Sequence, residues 1–263
     1  MADIKVGIIG GSGFENPTVF TESEEVDVNT PFGRPSDYLI HGKIHGVPSV
    51  LLSRVNYRAN IWALKEAGCT HVLATTACGS LVDNVKPGEP VFLDQFIDRT
   101  YKRESTFYDG TAGGPPGICH VPMHTPFCAQ TRKILCEAAD ELMIVHHKSG
   151  TTVTIEGPRF SSRAESFLYK SWGASIVNMT TVPEVCLAKE LGLCYAAVAL
   201  PTDYDCWHDT HESVSVDLVL KTLAENKQKA IDLIFDAVRR IAAADWRETF
   251  AHNQHVAKSA VML

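Results

Sequence analysis

The 263-residue sequence lacks a long apolar run, a Cys-x-x-Cys pair and an excess of basic charge. No apolar stretch reaches the roughly 20 residues that span a bilayer, and the Gly-rich opening segment is unlike a secretory signal. The net charge of −7 argues against a general nucleic-acid binder, whose surface should be basic. We therefore expect a cytoplasmic protein, with a nuclear pool as an alternative, that has neither membrane nor nucleic-acid partners.

The spacing of cysteines and histidines also gives little evidence for a metal site or for disulfides. The 8 cysteines show no zinc-ribbon or thioredoxin spacing, so we expect free thiols that pack as small apolar residues. His146 and His147 are adjacent, and neighbouring side chains on a helix or strand point apart, which makes them a poor pair of ligands. We predict no metal site.

Continuous apolar runs alternate with helix-like stretches, which is typical of a sheet covered on both faces. One predicted helix opens at Thr125-Pro126, and another runs from Val182 to Leu191 and stops at Gly192. The longest begins near Ser215. The predicted strands are Ile4–Ile9, Val47–Ser53, Val72–Thr75, Pro90–Ile97, Thr151–Ile155, Ser175–Asn178 and Tyr195–Leu200. These patterns predict an α/β fold, one domain over residues 1–263 with a mixed central sheet flanked by helices.

The two long amphipathic helices have clear apolar faces. In the helix that opens at Thr125, the face comprises Phe127, Thr131, Leu135, Ala138 and Leu142. In the longest helix, it comprises Val216, Val219, Leu223, Ala230, Ile234, Ala237 and Ile241.

Glycines and hydroxyls follow several predicted strands, where ligands gather in such folds. Gly10, Gly11 and Gly13 would let the backbone approach an anion, with Ser12 adding a hydroxyl. A dinucleotide fingerprint competes, but Asn16 stands where it needs a third Gly or Ala, and a plain tight turn is also open. Asp203 and Asp205 follow the strand Tyr195–Leu200, either as solvated loop acids or as a buried pair.

Long motifs along the chain resemble the 5′-methylthioadenosine phosphorylase family of the trimeric purine nucleoside phosphorylase superfamily. They are "GIIGGSGF", "TTACGSL", "DQFIDRT", "FYDG", "TIEGPRFSSRAES" and "NMTTVPEVCLAKELGLCYAAVALPTDYDCW". The resemblance implies phosphorolysis of 5′-methylthioadenosine to adenine and 5-methylthioribose 1-phosphate, in purine and methionine salvage. It also implies a homotrimer in which phosphate is a co-substrate and no metal or organic cofactor is used.

The resemblance assigns roles to individual residues. It places Ser12, Arg54, Thr76, Ala77 and Thr180 at the phosphate. The substrate-contacting residues are Met179 at the ribose, Phe160 and Ser161 at the base, Val216 and Val219 at the methylthio group, and a neighbouring subunit's copies of His120 and Met262.

The two acids complete the set of implied roles. Asp203 would protonate N7 of the leaving adenine, because burial can raise the pKa of a carboxyl group. Asp205 would accept a hydrogen bond from the exocyclic amine and so select adenine over 6-oxopurines. An adenosine-preferring phosphorylase and an inactive nucleoside-binding relative remain the alternatives.

One departure from the family pattern lies after Arg54. Family members continue there with His-Gly and a short loop, whereas this chain runs directly into Val55-Asn56-Tyr57. The motifs stay in register on both sides, so we predict that Arg54 and Val55 are not bonded neighbours and that a loop is missing between them.

Overall fold

The computed structural model describes residues 4–10, 20–53, 56–211 and 214–263. Within these ranges the helices are α1 (Tyr57–Glu66), α2 (Ala129–Glu141), α3 (Arg163–Ser171), α4 (Thr181–Glu190), α5 (Val216–Ala243) and α6 (Arg247–Ser259). The strands are β1 (Val6–Gly10), β2 (Thr21–Val26), β3 (Leu39–Ile44), β4 (Val47–Ser53), β5 (His71–Ser80), β6 (Val91–Phe92), β7 (Gln95–Arg99), β8 (Ile118–Cys119), β9 (Thr151–Ile155), β10 (Ile176–Asn178), β11 (Cys194–Asp203) and β12 (Val261–Met262).

One large sheet organises the chain, in the order β2-β3-β4-β1-β5-β10-β9-β7, with β11 paired to both β5 and β6. The pairs β1–β4, β1–β5, β5–β11, β9–β10 and β7–β9 are parallel, whereas β5–β10, β6–β11, β2–β3 and β3–β4 are antiparallel. The predicted mixed central sheet is confirmed.

Helices cover both faces of this sheet. On one face, Ile61 and Leu64 of α1 share a core cluster with Val185 of α4. On the other, Leu135 of α2 packs in a second cluster with Leu233 of α5. The central strands β1, β5 and β11 are therefore buried from both sides, which explains why each contains an uninterrupted apolar run.

The strands predicted from apolar runs agree best with the structure in the interior of the sheet. β4 and β9 have the predicted bounds, whereas β5 and β11 extend beyond theirs at both ends. The run Pro90–Ile97 is wrong as one strand because it divides into β6 and β7. The predictions missed β2 because half of its sequence, TESEEV, is charged and nearly all of it is exposed.

One of the three predicted helices starts at the wrong residue. The helix predicted from Val182 to Leu191 is confirmed as α4, within one residue at each end. α2 begins at Ala129 after an N-cap at Cys128, so Pro126 does not occupy the first turn. Leu142 caps the end of α2 and is 38% exposed rather than packed on its buried face. α5 begins as predicted after Ser215, whose hydroxyl accepts a hydrogen bond from Leu218 N at 3.2 Å, but Val216 is 61% exposed.

Other features agree with the sequence-based expectations. Gly192 follows α4 with φ +67°, as a helix-ending glycine should. All eight cysteines are free thiols. In the part of the chain that the structure describes, no helix has the length and apolar character needed to cross a membrane.

Burial along α5 generates a stability prediction. Leu233 is fully buried against α2 and the sheet, whereas Leu220 of the same helix is 53% exposed. We expect Leu233→Ala to lower the free energy of unfolding by about 2–5 kcal/mol, because it leaves a cavity. Leu220→Ala is the matched control and should change it by less than about 0.5 kcal/mol. Urea denaturation measures both, and equal effects would contradict the packing described here.

Candidate active site

A cavity of about 340 Å³ opens where β5, β10 and β11 end. Nine of the predicted site residues line it: Thr76, Ala77, Phe160, Ser161, Met179, Thr180, Asp203, Asp205 and Val219. The carboxyl ends of parallel strands meet at one edge of a sheet, which is why residues distant in sequence converge here. The structure thus brings most of the predicted site together.

One side of the cavity carries hydroxyls and backbone. Thr76 near the end of β5 and Thr180 at the N-cap of α4 have their Oγ1 atoms 2.9 Å apart. Gly10 and Ser53, the last residues of β1 and β4, line the cavity as well. Ser12, Arg54 and the junction of Arg54 with Val55 lie outside the described residues, so those predictions stay predictions.

Another part of the lining carries the two acids, and both are buried. Asp203 is 3% and Asp205 4% exposed, so the alternative of solvated loop acids is wrong. Thr202 Oγ1 donates to Asp203 Oδ2 and the Asp205 N–H donates to Asp203 Oδ1, each at 2.7 Å.

Burial raises the pKa of Asp203 to about 6, because desolvation disfavours the charged carboxylate. The two hydrogen bonds act in the opposite direction, and the negative charge of Asp205 adds to the rise. Asp203 can therefore exchange a proton near neutral pH.

Asp205 is held differently. Its backbone lies in the left-handed region at φ +50°, which is uncommon for a residue other than glycine and found at functional sites. Burial also raises its pKa, opposed by the Ser166 and Ser161 hydroxyls and the Cys206 N–H. Both hydroxyls are buried and act on Asp205, although neither has the geometry of a well-formed hydrogen bond within the described residues.

The segment before α3 places Phe160 and Ser161. Ser162 caps α3 through a reciprocal capping box with Glu165. Arg159 pairs with the same glutamate at 2.7 Å. This anchoring fixes the short loop and leaves Phe160 36% exposed at the cavity.

Three predicted residues do not line this cavity. Val216 stands one turn before Val219 and is exposed. His120 and Met262 lie together at the small sheet formed by β8 and β12, where His120 N donates to Ala260 O at 2.8 Å. The position of these last two is compatible with a role toward another molecule.

The sequence-based prediction missed some lining residues. Gly79 follows Thr76 and Ala77 in the quoted motif, and a Cβ there would lie 3.0 Å from Asp205 Cβ and 3.1 Å from Asp203 Oδ1. Thr202 and Val214 also line the cavity. The glycine of "TTACGSL" was the available signal, because close approach of two segments often requires glycine.

The comparison with known families first defines the class. A family model described as the phosphorylase superfamily matches residues 5–239, and the chain belongs to this superfamily. Among curated proteins, it is 55% identical to the S-methyl-5′-thioadenosine phosphorylase of Danio rerio, over 99% of this chain and 97% of that protein. It is 54% identical to that of Drosophila melanogaster, over 93% and 89%.

Solved structures that are similar to this chain carry the same kind of name as these relatives. A methylthioadenosine phosphorylase from Schistosoma mansoni in complex with adenine is 44% identical and covers 98% of this chain and 99% of its own, with a TM-score of 0.95. A mutant adenosine/methylthioadenosine phosphorylase from the same organism, in complex with methylthioadenosine, has a TM-score of 0.94 at 44% identity, over 98% and 99%.

The close fit at Gly79 generates a prediction. Gly79→Ala should displace both acids and lower kcat/KM by roughly 10²-fold, because misplacement on the ångström scale is enough to do so. Gly173→Ala is the control, since Gly173 has φ +79° and nothing within 4 Å of an added Cβ. The control should lose stability but keep its kcat/KM in a steady-state assay. Normal kinetics in Gly79→Ala would show that the tight contact does not matter.

Proposed function

We propose that the protein catalyses the phosphorolysis of 5′-methylthioadenosine to adenine and 5-methylthioribose 1-phosphate, in purine and methionine salvage. The observation that carries the proposal is one cavity that is lined both by two buried acids and by the Thr76–Thr180 hydroxyl pair. A leaving purine and an attacking phosphate need these two environments. Eight free thiols suit a reducing compartment, and the cytoplasm is the one we propose.

Phosphate is the co-substrate and occupies the hydroxyl side. An anion is held by N–H groups, hydroxyls and a guanidinium fork. Thr76, the Ala77 backbone and Thr180 supply the first two kinds of group, and Ser12 and Arg54 complete the set by resemblance. No metal or organic cofactor enters this proposal.

Asp203 acts as the general acid. An adenine anion is a poor leaving group, so the glycosidic bond breaks more readily when N7 receives a proton. Asp203, with its pKa raised to about 6, can supply that proton. Asp205 accepts a hydrogen bond from the exocyclic amine, aided by the Ser161 and Ser166 hydroxyls that favour its charged form. A 6-oxopurine would place an oxygen against this acceptor.

The ribose carries the positive charge of an oxocarbenium-like transition state, as in glycoside hydrolysis. The backbone N–H of Met179 orients the ribose, and the bound phosphate stabilises the charge and then attacks the anomeric carbon. Catalysis therefore depends on positioning, leaving-group protonation and electrostatics, without a covalent protein intermediate.

Selectivity for the 5′ group arises at the end of the cavity near α5. Val219 and Val214 line that end, and we assign Val216 to the same apolar wall. His120 and Met262 of the partner subunit complete it in a homotrimer.

A second candidate is a phosphorylase that also uses adenosine. The relevant observation is the name of the Schistosoma mansoni relative, which includes both nucleosides. Chromatography of products separates the candidates: adenine release that requires phosphate supports the enzyme, and the ratio of kcat/KM for the two nucleosides ranks the substrates. Binding without phosphate-dependent adenine release would identify an inactive relative.

Replacing the Asp203 carboxyl group should lower turnover strongly. Asp203→Asn keeps the side-chain shape but cannot protonate N7, so turnover should fall by roughly 10²–10⁴-fold. Asp140→Asn, at an exposed helix position, is the control and should be near normal. Near-normal turnover in Asp203→Asn would rule out the acid role.

The pH profile provides a separate test of the same acid. Only protonated Asp203 is active, and its pKa is about 6, so kcat/KM for the nucleoside should fall as pH rises through about 6 at saturating phosphate. Asp203→Asn should lose this descending limb. A limb that persists in the variant would assign it to another group.

The shared site predicts a homotrimer. Ile118 is 59%, Met262 63% and Leu263 100% exposed, an apolar surface that the single chain leaves uncovered. Light scattering at assay concentration should give the mass of three chains, and an active monomer would contradict the shared site. Removing Met262 and Leu263 should raise KM for 5′-methylthioadenosine more than for adenosine.

A further inference from the structure

Arg103 makes a set of contacts that the proposed mechanism does not use. Its guanidinium donates to four backbone carbonyls from two separate segments of the chain. The acceptors are Met179 O at 2.6 Å, Val182 O at 2.7 Å, Glu156 O at 2.7 Å and Ile155 O at 3.3 Å. The side chain is only 11% exposed.

These carbonyls stand where regular structure is interrupted. Ile155 and Glu156 mark the end of β9, and Met179 directly follows β10. Val182 interrupts α4 with φ −105° and ψ 132°. Buried carbonyls need hydrogen-bond donors, and outside helices and strands a planar guanidinium with five N–H groups can serve several at once.

Neighbouring side chains hold the guanidinium in place. The Tyr57 ring lies 5.2 Å from the Arg103 guanidinium carbon, and the Tyr57 hydroxyl also donates to Met179 O at 3.3 Å. The Glu156 carboxylate lies 3.7 Å from Arg103 Nε and accepts a hydrogen bond from Tyr101 N at 2.8 Å. Arg103 therefore has little freedom to leave its four acceptors.

The Met179 carbonyl links this cluster to the site. A peptide unit is planar, so the Met179 C=O and the Thr180 N–H turn together. Whatever fixes the carbonyl also fixes Thr180, whose hydroxyl lies 2.9 Å from that of Thr76 in the cavity. By contrast, none of the four acceptors belongs to the segment that carries Asp203 and Asp205. Phe160 and Ser161 follow Ile155 and Glu156 in the chain, but the Arg159–Glu165 pair and the Ser162 capping box anchor their loop independently of Arg103.

We propose that Arg103 is a positioning residue that fixes the Met179–Thr180 segment, and through it the ribose and phosphate halves of the site, while leaving the adenine half unaffected. The inference rests on the proposed function, since it assigns the ribose to Met179 and the phosphate to Thr180. Arg103 touches neither substrate in this proposal.

The test is Arg103→Lys, which keeps the charge but offers one ammonium in place of a planar fork. We expect kcat/KM to fall by roughly 10²-fold, with KM raised for both phosphate and 5′-methylthioadenosine. The Kd of adenine, measured by isothermal titration calorimetry, should stay within about threefold because the acids keep their own supports. If Arg103 had a purely structural role, the variant would bind phosphate, 5′-methylthioadenosine and adenine more weakly by similar factors.

Arg132→Lys is the matched control. Arg132 also donates to carbonyls, Lys148 O at 2.7 Å and Phe92 O at 3.4 Å, but it does not line the cavity. This variant should lower the melting temperature and leave both KM values and the adenine Kd unchanged.

The outcomes separate the inference from the proposed function. Wild-type protein without phosphate-dependent adenine release would overturn the function itself. If the wild type is active, two results for Arg103→Lys would overturn the positioning role. One is that both KM values are unchanged; the other is that the adenine Kd rises by the same factor as the KM values. If Arg103→Lys does not fold, Glu156→Gln decides: it loosens the guanidinium without removing it. A severalfold rise in both KM values for Glu156→Gln supports the role, and unchanged KM values refute it.

Discussion

The parallel pairing of β5 with β11 is the constraint on which the rest of the site depends. The register aligns Ala199 with Thr76 and Leu200 with Ala77, and it shifts between Pro201 and Asp203, where Asp203 pairs with Gly79. Irregularities of this kind re-aim side chains at the ends of strands. The apolar packing of both strands fixes the register, because a slip of one residue would turn their buried side chains to the wrong face. Placement of the acids beside the Thr76–Ala77 segment is thus a consequence of core packing.

The same burial supplies the chemistry. Solvated acids would keep ordinary pKa values and could not hold a proton near neutral pH, whereas removal from water raises the pKa of both Asp203 and Asp205. Hydrogen bonds then limit the rise at Asp203, which stops at about 6. An acid with a much higher pKa would give up its proton too reluctantly, and one with a lower pKa would be ionised before the bond breaks.

Sequence patterns predicted the buried part of the fold well and its surface poorly. β4 and β9 were found because their apolar residues report burial directly, whereas the charged strand β2 carries no such signal. The start of α2 was misplaced because proline is common at the first helical turn, yet here the turn begins only after Cys128. The motifs identified most of the cavity. They could not show whether Asp203 and Asp205 were buried, since that depends on the approach of Gly79 from β5 and Ser166 from α3.

The two acids are buried in the core, whereas the residues assigned to the 5′ group lie near the surface. This difference affects how selectivity can change. Asp203, to which we assign the purine N7, ends β11, and Asp205 follows it; β11 pairs with β5 in the interior of the sheet, so changes at the proposed base site would also disturb the core. In the proposed trimer, the apolar wall for the 5′ group comprises Val219 near the start of α5, which lines the cavity, and exposed residues of β8 and β12 from a partner subunit. Substitutions there cost little stability. In the proposed site, the 5′ wall can therefore change at a lower cost in stability than the base site, and one Schistosoma mansoni relative is named for both adenosine and methylthioadenosine.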